Sequence, residues 1–356
     1  MGAGRVFRYA VIAAVLAAGV GWAVASVRTT GGYPGGGYLA TPQWLRAHLH
    51  DPGVVVVDVR TDKYFDGRVI PGAVRLPWKL FRYNDRARGV GGVFVGTERA
   101  QEILGRHGIS RESTVVLYDS VKRDGGATAS YVFWVLDVLG HAKIKVLAGG
   151  IDGWVQAGGE VAAEPAVPEP VAYQAPSDEI RLRRWATGPF IRDRLGDPVY
   201  QILDVRSREE YLGEKLNKAL AGGALKAGHI PTAYNVNYKM NWVGTETKAL
   251  KPMAELLELY RGLDPSRPVI TYCHSGRRGS FTYFVLRVMG FQDVMLYEAS
   301  WYEWGNPDLF FPVELAERKL TGALPLPVRK ASLRTPARGA AGRKAPAKGG
   351  YVSCGG

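Results

Sequence analysis

The sequence predicts an α/β chain of two similar domains, each a mainly parallel sheet flanked by helices. The first observation behind this is an internal repeat. Val54-Val55-Val56-Val57-Asp58-Val59-Arg60 and Tyr200-Gln201-Ile202-Leu203-Asp204-Val205-Arg206 both end in Asp-Val-Arg, and each leads to an Ile-Pro turn, at Ile70-Pro71 and Ile230-Pro231. A repeat on this scale means that one structural plan is used twice. The second observation is a further apolar run 60–70 residues on in each copy, at 114–119 and 268–273. Each leads into helically spaced apolar positions, over 129–139 and over 280–289, with Phe281, Phe284, Val285 and Val288 on the buried face. Short, continuously apolar strands alternating with helices read as buried parallel strands. The third is length: 356 residues accommodate two domains of about 100–200 residues each.

Taken in order, residues 1–37 form a targeting segment and tether. Arg5 and Arg8 precede an uncharged, Ala/Val-rich run of nineteen residues, 9–27, with Ala23-Val24-Ala25 as a cleavage motif. The run is also close to spanning length, so a cleaved signal peptide and an uncleaved anchor are both open. Either one places the body outside the cytoplasm, in the periplasm or on the outer face of the inner membrane. Residues 38–160 make the first domain, with a third strand at 144–147 and a closing turn at Gly149-Gly150-Ile151-Asp152-Gly153-Trp154. A Pro/Ala-rich linker occupies 161–180. The second domain spans 181–316, has its third strand at 293–297, and carries an insertion at 213–228 with no counterpart in the first copy. Residues 317–356 read as a basic, disordered tail.

Charge has to be localised before it is interpreted. The net charge is +13, but residues 329–356 hold seven Lys/Arg and no acid, and residues 1–28 hold three Arg and no acid. The folded body is nearly balanced, so nucleic acid is not an expected partner. Membrane contact is expected only through residues 9–27 and the basic tail. The two cysteines, Cys273 and Cys354, exclude a disulfide framework and a cysteine-rich metal site.

Cys273-His274-Ser275-Gly276-Arg277-Arg278-Gly279-Ser280 carries the chemistry. A buried strand delivers Cys273 to a short polar loop, and a helix starts at about Arg278. Loop and first-turn N–H groups, the helix dipole and two arginines all favour a thiolate there. Cys273 is therefore the candidate nucleophile, in a cradle that holds negative charge. The bland alternative, an inert buried cysteine, does not explain the basic, glycine-containing loop that follows it.

This loop resembles the active-site loop of the rhodanese sulfurtransferases, Cys-x-Ser-Gly-x-Arg in many bacterial members. The resemblance covers about 38–316 as a tandem pair of rhodanese domains. Asp-Val-Arg, Gly-His-Ile-Pro, Thr-Tyr-Cys-His-Ser-Gly, Leu-Tyr-Glu-Ala-Ser-Trp and Glu303-Trp304-Gly305-Asn306 occur in the family's order. It implies a catalytically silent first domain, with Asp119 where a cysteine would stand. It implies sulfur transfer from thiosulfate to cyanide or a thiol through a Cys273 persulfide, without metal or organic cofactor. It also implies donor contacts from His274, Ser275, Gly276, Arg277, Arg278 and Arg206. Arg206 has a second reading, as the structural ion-pair partner of Asp204.

Two departures bear on the donor. The eukaryotic thiosulfate enzymes have a second arginine four positions after the Asp-x-Arg arginine, and here that position is Glu210. Ser275 matches the mercaptopyruvate-type loop, which leaves 3-mercaptopyruvate open as donor, although the paired arginines favour compact thiosulfate. A cysteine-dependent phosphatase of the same fold is disfavoured, because its loop needs five residues between cysteine and arginine and only four separate Cys273 from Arg278. An exported persulfide carrier serving one partner remains the rival class. His229 is expected to fix a turn, and Trp301, Tyr302 and Trp304 to pack over the site, Trp304 with a place in the pocket wall.

Overall fold

A computed structural model describes residues 32–320 apart from Asp124. The apolar run 9–27, the tail beyond 320 and Cys354 lie outside the described residues. Among the described residues no helix is long and apolar enough to cross a membrane.

The first domain begins with β1 (Leu39–Ala40), α1 (Pro42–His48), β2 (Val54–Asp58) and β3 (Val74–Arg75). A two-stranded antiparallel ribbon follows, β4 (Arg82–Asp85) with β5 (Val90–Phe94), then α2 (Thr97–Arg106). β6 (Thr114–Tyr118), α3 (Ala127–Val138), β7 (Ile144–Leu147) and α4 (Gly150–Gln156) complete it. The sheet order is β1-β7-β6-β2-β3 and every pairing is parallel. The Val-rich β2 lies inside the sheet, between β6 and β3, and its side chains meet apolar layers on both faces, which is why the sequence shows no alternation there.

The second domain repeats the plan with α5 (Gly188–Arg192), β8 (Gln201–Asp204), α6 (Arg208–Tyr211), β9 (Tyr234–Asn235) and α7 (Met253–Leu259). β10 (Val269–Tyr272), α8 (Arg277–Val288), β11 (Val294–Leu296) and α9 (Ser300–Trp304) follow. Its parallel sheet runs β11-β10-β8-β9, and the fifth position is reduced to a single bridge, Trp185 to Leu296.

The duplicated Asp-Val-Arg motifs do the same work twice. Arg60 Nη2 lies 2.6 Å from Asp58 Oδ2, and Arg206 Nη2 lies 2.6 Å from Asp204 Oδ2, all four side chains being buried. Tyr118 and Tyr272 accept hydrogen bonds from the backbone N–H of Ile70 and Ile230, at 3.2 and 3.1 Å. Each pair thus ties strand ends to its Ile-Pro turn.

Helices α3 and α8 start a few residues earlier than the apolar spacing suggests. Gly126 and Gly276 precede them at φ 102° and 80°, so the chain enters the helix directly from the loop. The two helices pack on each other, with Phe133 and Phe284 edge to face at 5.0 Å. Asp137 on α3 is buried between the domains and accepts hydrogen bonds from Tyr283 Oη at 2.5 Å and Arg287 Nε at 3.2 Å. One apolar cluster runs through both domains, from Val57 and Leu117 to Leu203 and Val269. The Pro/Ala-rich segment lies along the first domain: Tyr173 is buried, and Val171 N donates to Gly105 O at 2.9 Å.

Candidate active site

Cys273 follows β10 directly and is 1 % exposed. Only His274, Ser275 and Gly276 separate it from α8, so the helix N-terminus faces the strand end that bears the thiol. The first copy shows what this geometry holds. Asp119, at the end of β6, accepts hydrogen bonds on Oδ2 from Thr128 N (3.1 Å), Thr128 Oγ1 (2.7 Å) and Ala129 N (3.2 Å) in the first turn of α3. The corresponding second and third residues of α8 are Arg278 and Gly279. One copy therefore places a carboxylate, and the other a thiol, at the same strand–helix junction.

The loop is held from behind by Ser300. Its Oγ accepts from Cys273 N at 3.0 Å and Gly276 N at 3.1 Å and donates to Tyr297 O at 2.7 Å. One of the loop N–H groups expected to face sulfur, that of Gly276, is thus bound to this hydroxyl. Gly276 has no substitute: its φ is positive, and a Cβ would lie 2.6 Å from Glu298 O.

A cavity of about 340 Å³ opens beside the loop, lined by His274, Ser275, Arg277, Arg278, Lys215 and Lys239 among others. Glu210 also lines it, but its carboxylate pairs with Arg278 at 2.7 and 2.9 Å and accepts from Asn217 Nδ2 at 2.6 Å. Burial alone would raise the Glu210 pKa, yet Arg278 brings it well below the usual carboxylate range. Glu210 is thus neutralised in place rather than aimed at an incoming anion. Burial, then the charges of Arg123, Arg278 and Arg82, lower Arg277 to about 9. Burial, with Arg278 next, brings His274 down to about 4, so its ring is neutral at pH 7. Its Nε2 lies 3.1 Å from Lys218 O in the 213–228 insertion, and its ring is 4.3 Å from that of Tyr302. A larger, mostly apolar cavity of about 740 Å³ opens at the strand ends of the first copy, along Val146–Gly150 and Phe281.

Arg206 is placed apart from the cavity lining. It bonds Asp204, Asn217 Oδ1 (3.1 Å) and Gly228 O (2.7 Å), and stacks on Trp301 at 4.2 Å. Arg60 makes the same pair in the copy that lacks a cysteine, which favours the ion-pair reading of Arg206 over the donor contact that the resemblance implies. Trp304 is likewise a core residue, stacked on Phe311 at 4.6 Å and donating to Pro312 O, and lies outside the cavity wall. His229 Nδ1 lies 2.9 Å from Tyr211 O with the two rings stacked, as a turn-fixing residue should. Lys215, Lys239 and the Ser300 hydroxyl were not singled out from sequence; the unmatched insertion and the Leu-Tyr-Glu-Ala-Ser-Trp run were the available signals.

Glu298, behind the loop, accepts from Trp185 Nε1 at 2.6 Å and is pushed up from 4.5 to about 7, chiefly by burial. Below pH 4.5 it is neutral in both folded and unfolded chains. Between pH 4.5 and 7 the unfolded chain ionises first, so folded stability falls as pH rises and stays lower above 7. Glu298→Gln should therefore gain stability over the wild type across that window. A stability difference in urea that does not change with pH would count against this.

Duplicated parallel sheets, with a buried thiol at one strand–helix junction and a carboxylate at the other, define a tandem α/β protein. A family model described as a rhodanese-like domain matches residues 41–157 and 190–307, and the chain belongs to the rhodanese family in its tandem form. It is 34% identical over 276 residues to "Putative thiosulfate sulfurtransferase SseA" of Mycobacterium tuberculosis, covering 75% of this chain and 88% of that one. It is 31% identical over 290 residues to "Sulfur carrier protein TtuD" of Thermus thermophilus, covering 77% and 96%. The Tum1 protein from Saccharomyces cerevisiae shares the fold, with a TM-score of 0.64 at 19% identity, over 77% of this chain and 97% of that one. The chain is a sulfurtransferase, moving sulfur from a donor to an acceptor.

Proposed function

We propose that the chain moves the sulfane sulfur of thiosulfate to cyanide or a small thiol through a Cys273 persulfide. The observation that carries this is the buried thiol before the N-terminus of α8, at the junction where the sister copy holds a carboxylate on its helix N–H groups. The Cys273 thiolate attacks the outer sulfur of thiosulfate, an S–S bond forms, the donor's S–S bond breaks, and its electron pair leaves with sulfite. The acceptor then attacks the terminal sulfur and the thiolate returns. Arg277, Arg278, Lys215 and Lys239 line the cavity against one carboxylate, Glu210, which supports a compact dianion as donor. The leader-like segment supports placing this reaction outside the cytoplasm.

The test is mass spectrometry of the protein after thiosulfate, with one added sulfur on Cys273 and stoichiometric sulfite expected. Values of kcat/KM for thiosulfate and 3-mercaptopyruvate, with one acceptor at low and high salt, then choose the donor. Thiosulfate should give the higher value and lose more of it in salt. A higher value for mercaptopyruvate would mean that the serine of the loop, not its charge, selects the donor. The carrier reading is supported by the name of the Thermus relative, and turnover that appears only with a protein acceptor would favour it.

A further inference from the structure

We propose that Arg82, supplied by the first domain, is a positioning residue for the Cys273 loop, so that the silent domain sets the reactivity of the thiol. This rests on the reading of Cys273 as the nucleophile. Arg82 opens the β4–β5 ribbon, which reaches across to the second domain. Its Nε donates to Gly92 O at 3.0 Å, and its guanidinium lies over Trp78 (4.7 Å) and Tyr131 (5.2 Å). With the side chain fixed within its own domain, Nη2 donates to Ser275 O at 2.5 Å.

Ser275 C=O and Gly276 N–H belong to one planar peptide. Gly276 N–H is bound to Ser300 Oγ at 3.1 Å, so that peptide is gripped at both edges, once by each domain. Rotation of the plane would re-aim a carbonyl dipole and an N–H at the entrance to α8. The field at an anionic sulfur depends on those dipoles.

The opposite contact exists too. Lys248 of the second domain lies over Trp242 at 5.5 Å. Its Nζ donates to Val121 O, and to Arg123 O at 3.2 Å, in the loop that follows β6. Each domain therefore sends one tryptophan-seated cation to a carbonyl in the other's strand–helix loop. Only the Arg82 contact acts on a loop that bears a thiol, and the Lys248 contact is a built-in control for loosening of the interface.

The experiment uses full-length Arg82→Met, Arg82→Lys and Lys248→Met proteins in a Cys354→Ala background. It measures kcat and KM with thiosulfate and the rate at which iodoacetamide alkylates Cys273 in the folded protein. Arg82→Met should lower both kcat and the alkylation rate about tenfold, about 1.4 kcal/mol. KM should stay within about twofold, because Arg82 holds the loop rather than the donor. Arg82→Lys should recover part of both losses, and Lys248→Met should leave both rates unchanged. An unchanged alkylation rate in Arg82→Met, or an equal loss in Lys248→Met, overturns the proposal. If Arg82→Met does not fold, Arg82→Gln takes its place and an unchanged rate there is equally decisive. Iodoacetamide needs no sulfur donor. A wild type inactive with thiosulfate, whose alkylation still slows on loss of Arg82, would refute the donor and support the positioning role.

Discussion

Replacement of Cys273 by serine should abolish sulfur transfer, with at least about a thousandfold loss of kcat. A serine hydroxyl is a weak nucleophile near neutral pH unless a base lies beside it. The imidazole next in sequence, His274, has its Nε2 directed to Lys218 O rather than to position 273. The substitution is nearly isosteric at a site 1 % exposed, so the fold should be retained. With Cys354→Ala in the same chain the protein would hold no other thiol. Thiosulfate treatment should then add no sulfur to it, and sulfur gained or turnover retained would remove Cys273 from its role.

The second large effect is expected at the Glu210–Arg278 pair. Glu210 is 6% and Arg278 17% exposed at the side chain, so removing one partner leaves a poorly hydrated charge. Arg278→Met should destabilise the fold by about 3 kcal/mol, the lower end for a buried pair, because the cavity admits some water. The double variant Glu210→Gln, Arg278→Met should recover much of this, since neither charge remains. Urea denaturation gives both numbers. Equal losses in single and double variants would show that Arg278 acts through packing alone. Glu210→Gln by itself frees Arg278, and should raise kcat/KM for thiosulfate and steepen its fall with salt.

Legibility followed the range of each interaction. The two copies, their central strands and the Cys273 loop were readable because each lies within a few consecutive residues, where apolar runs and glycine placement carry the information. The role of Glu210 was not. Whether it faces an incoming anion or pairs with an arginine depends on a partner 68 positions away. For Arg206 the sequence offered both a donor contact and an ion pair with Asp204, and the ion pair gained weight only beside Arg60, which makes the same pair where there is no thiol. The β4–β5 ribbon went unread because Arg82–Phe94 alternates weakly and half of it is polar.

By itself the sequence determined a duplicated α/β plan, one candidate nucleophile at Cys273, a carboxylate in its place in the sister copy, and a basic loop after the cysteine. These follow from backbone propensity, apolar periodicity and the chemistry of adjacent side chains, which act over a turn or a strand. Only the tertiary structure decided which charges are compensated and which domain holds the loop. Arg82 and Ser275 are 193 positions apart and Tyr283 and Asp137 are 146 apart. No local pattern marks such pairs, because the packing of α3 on α8 brings them together, and the energy that selects them appears only once both surfaces have left water.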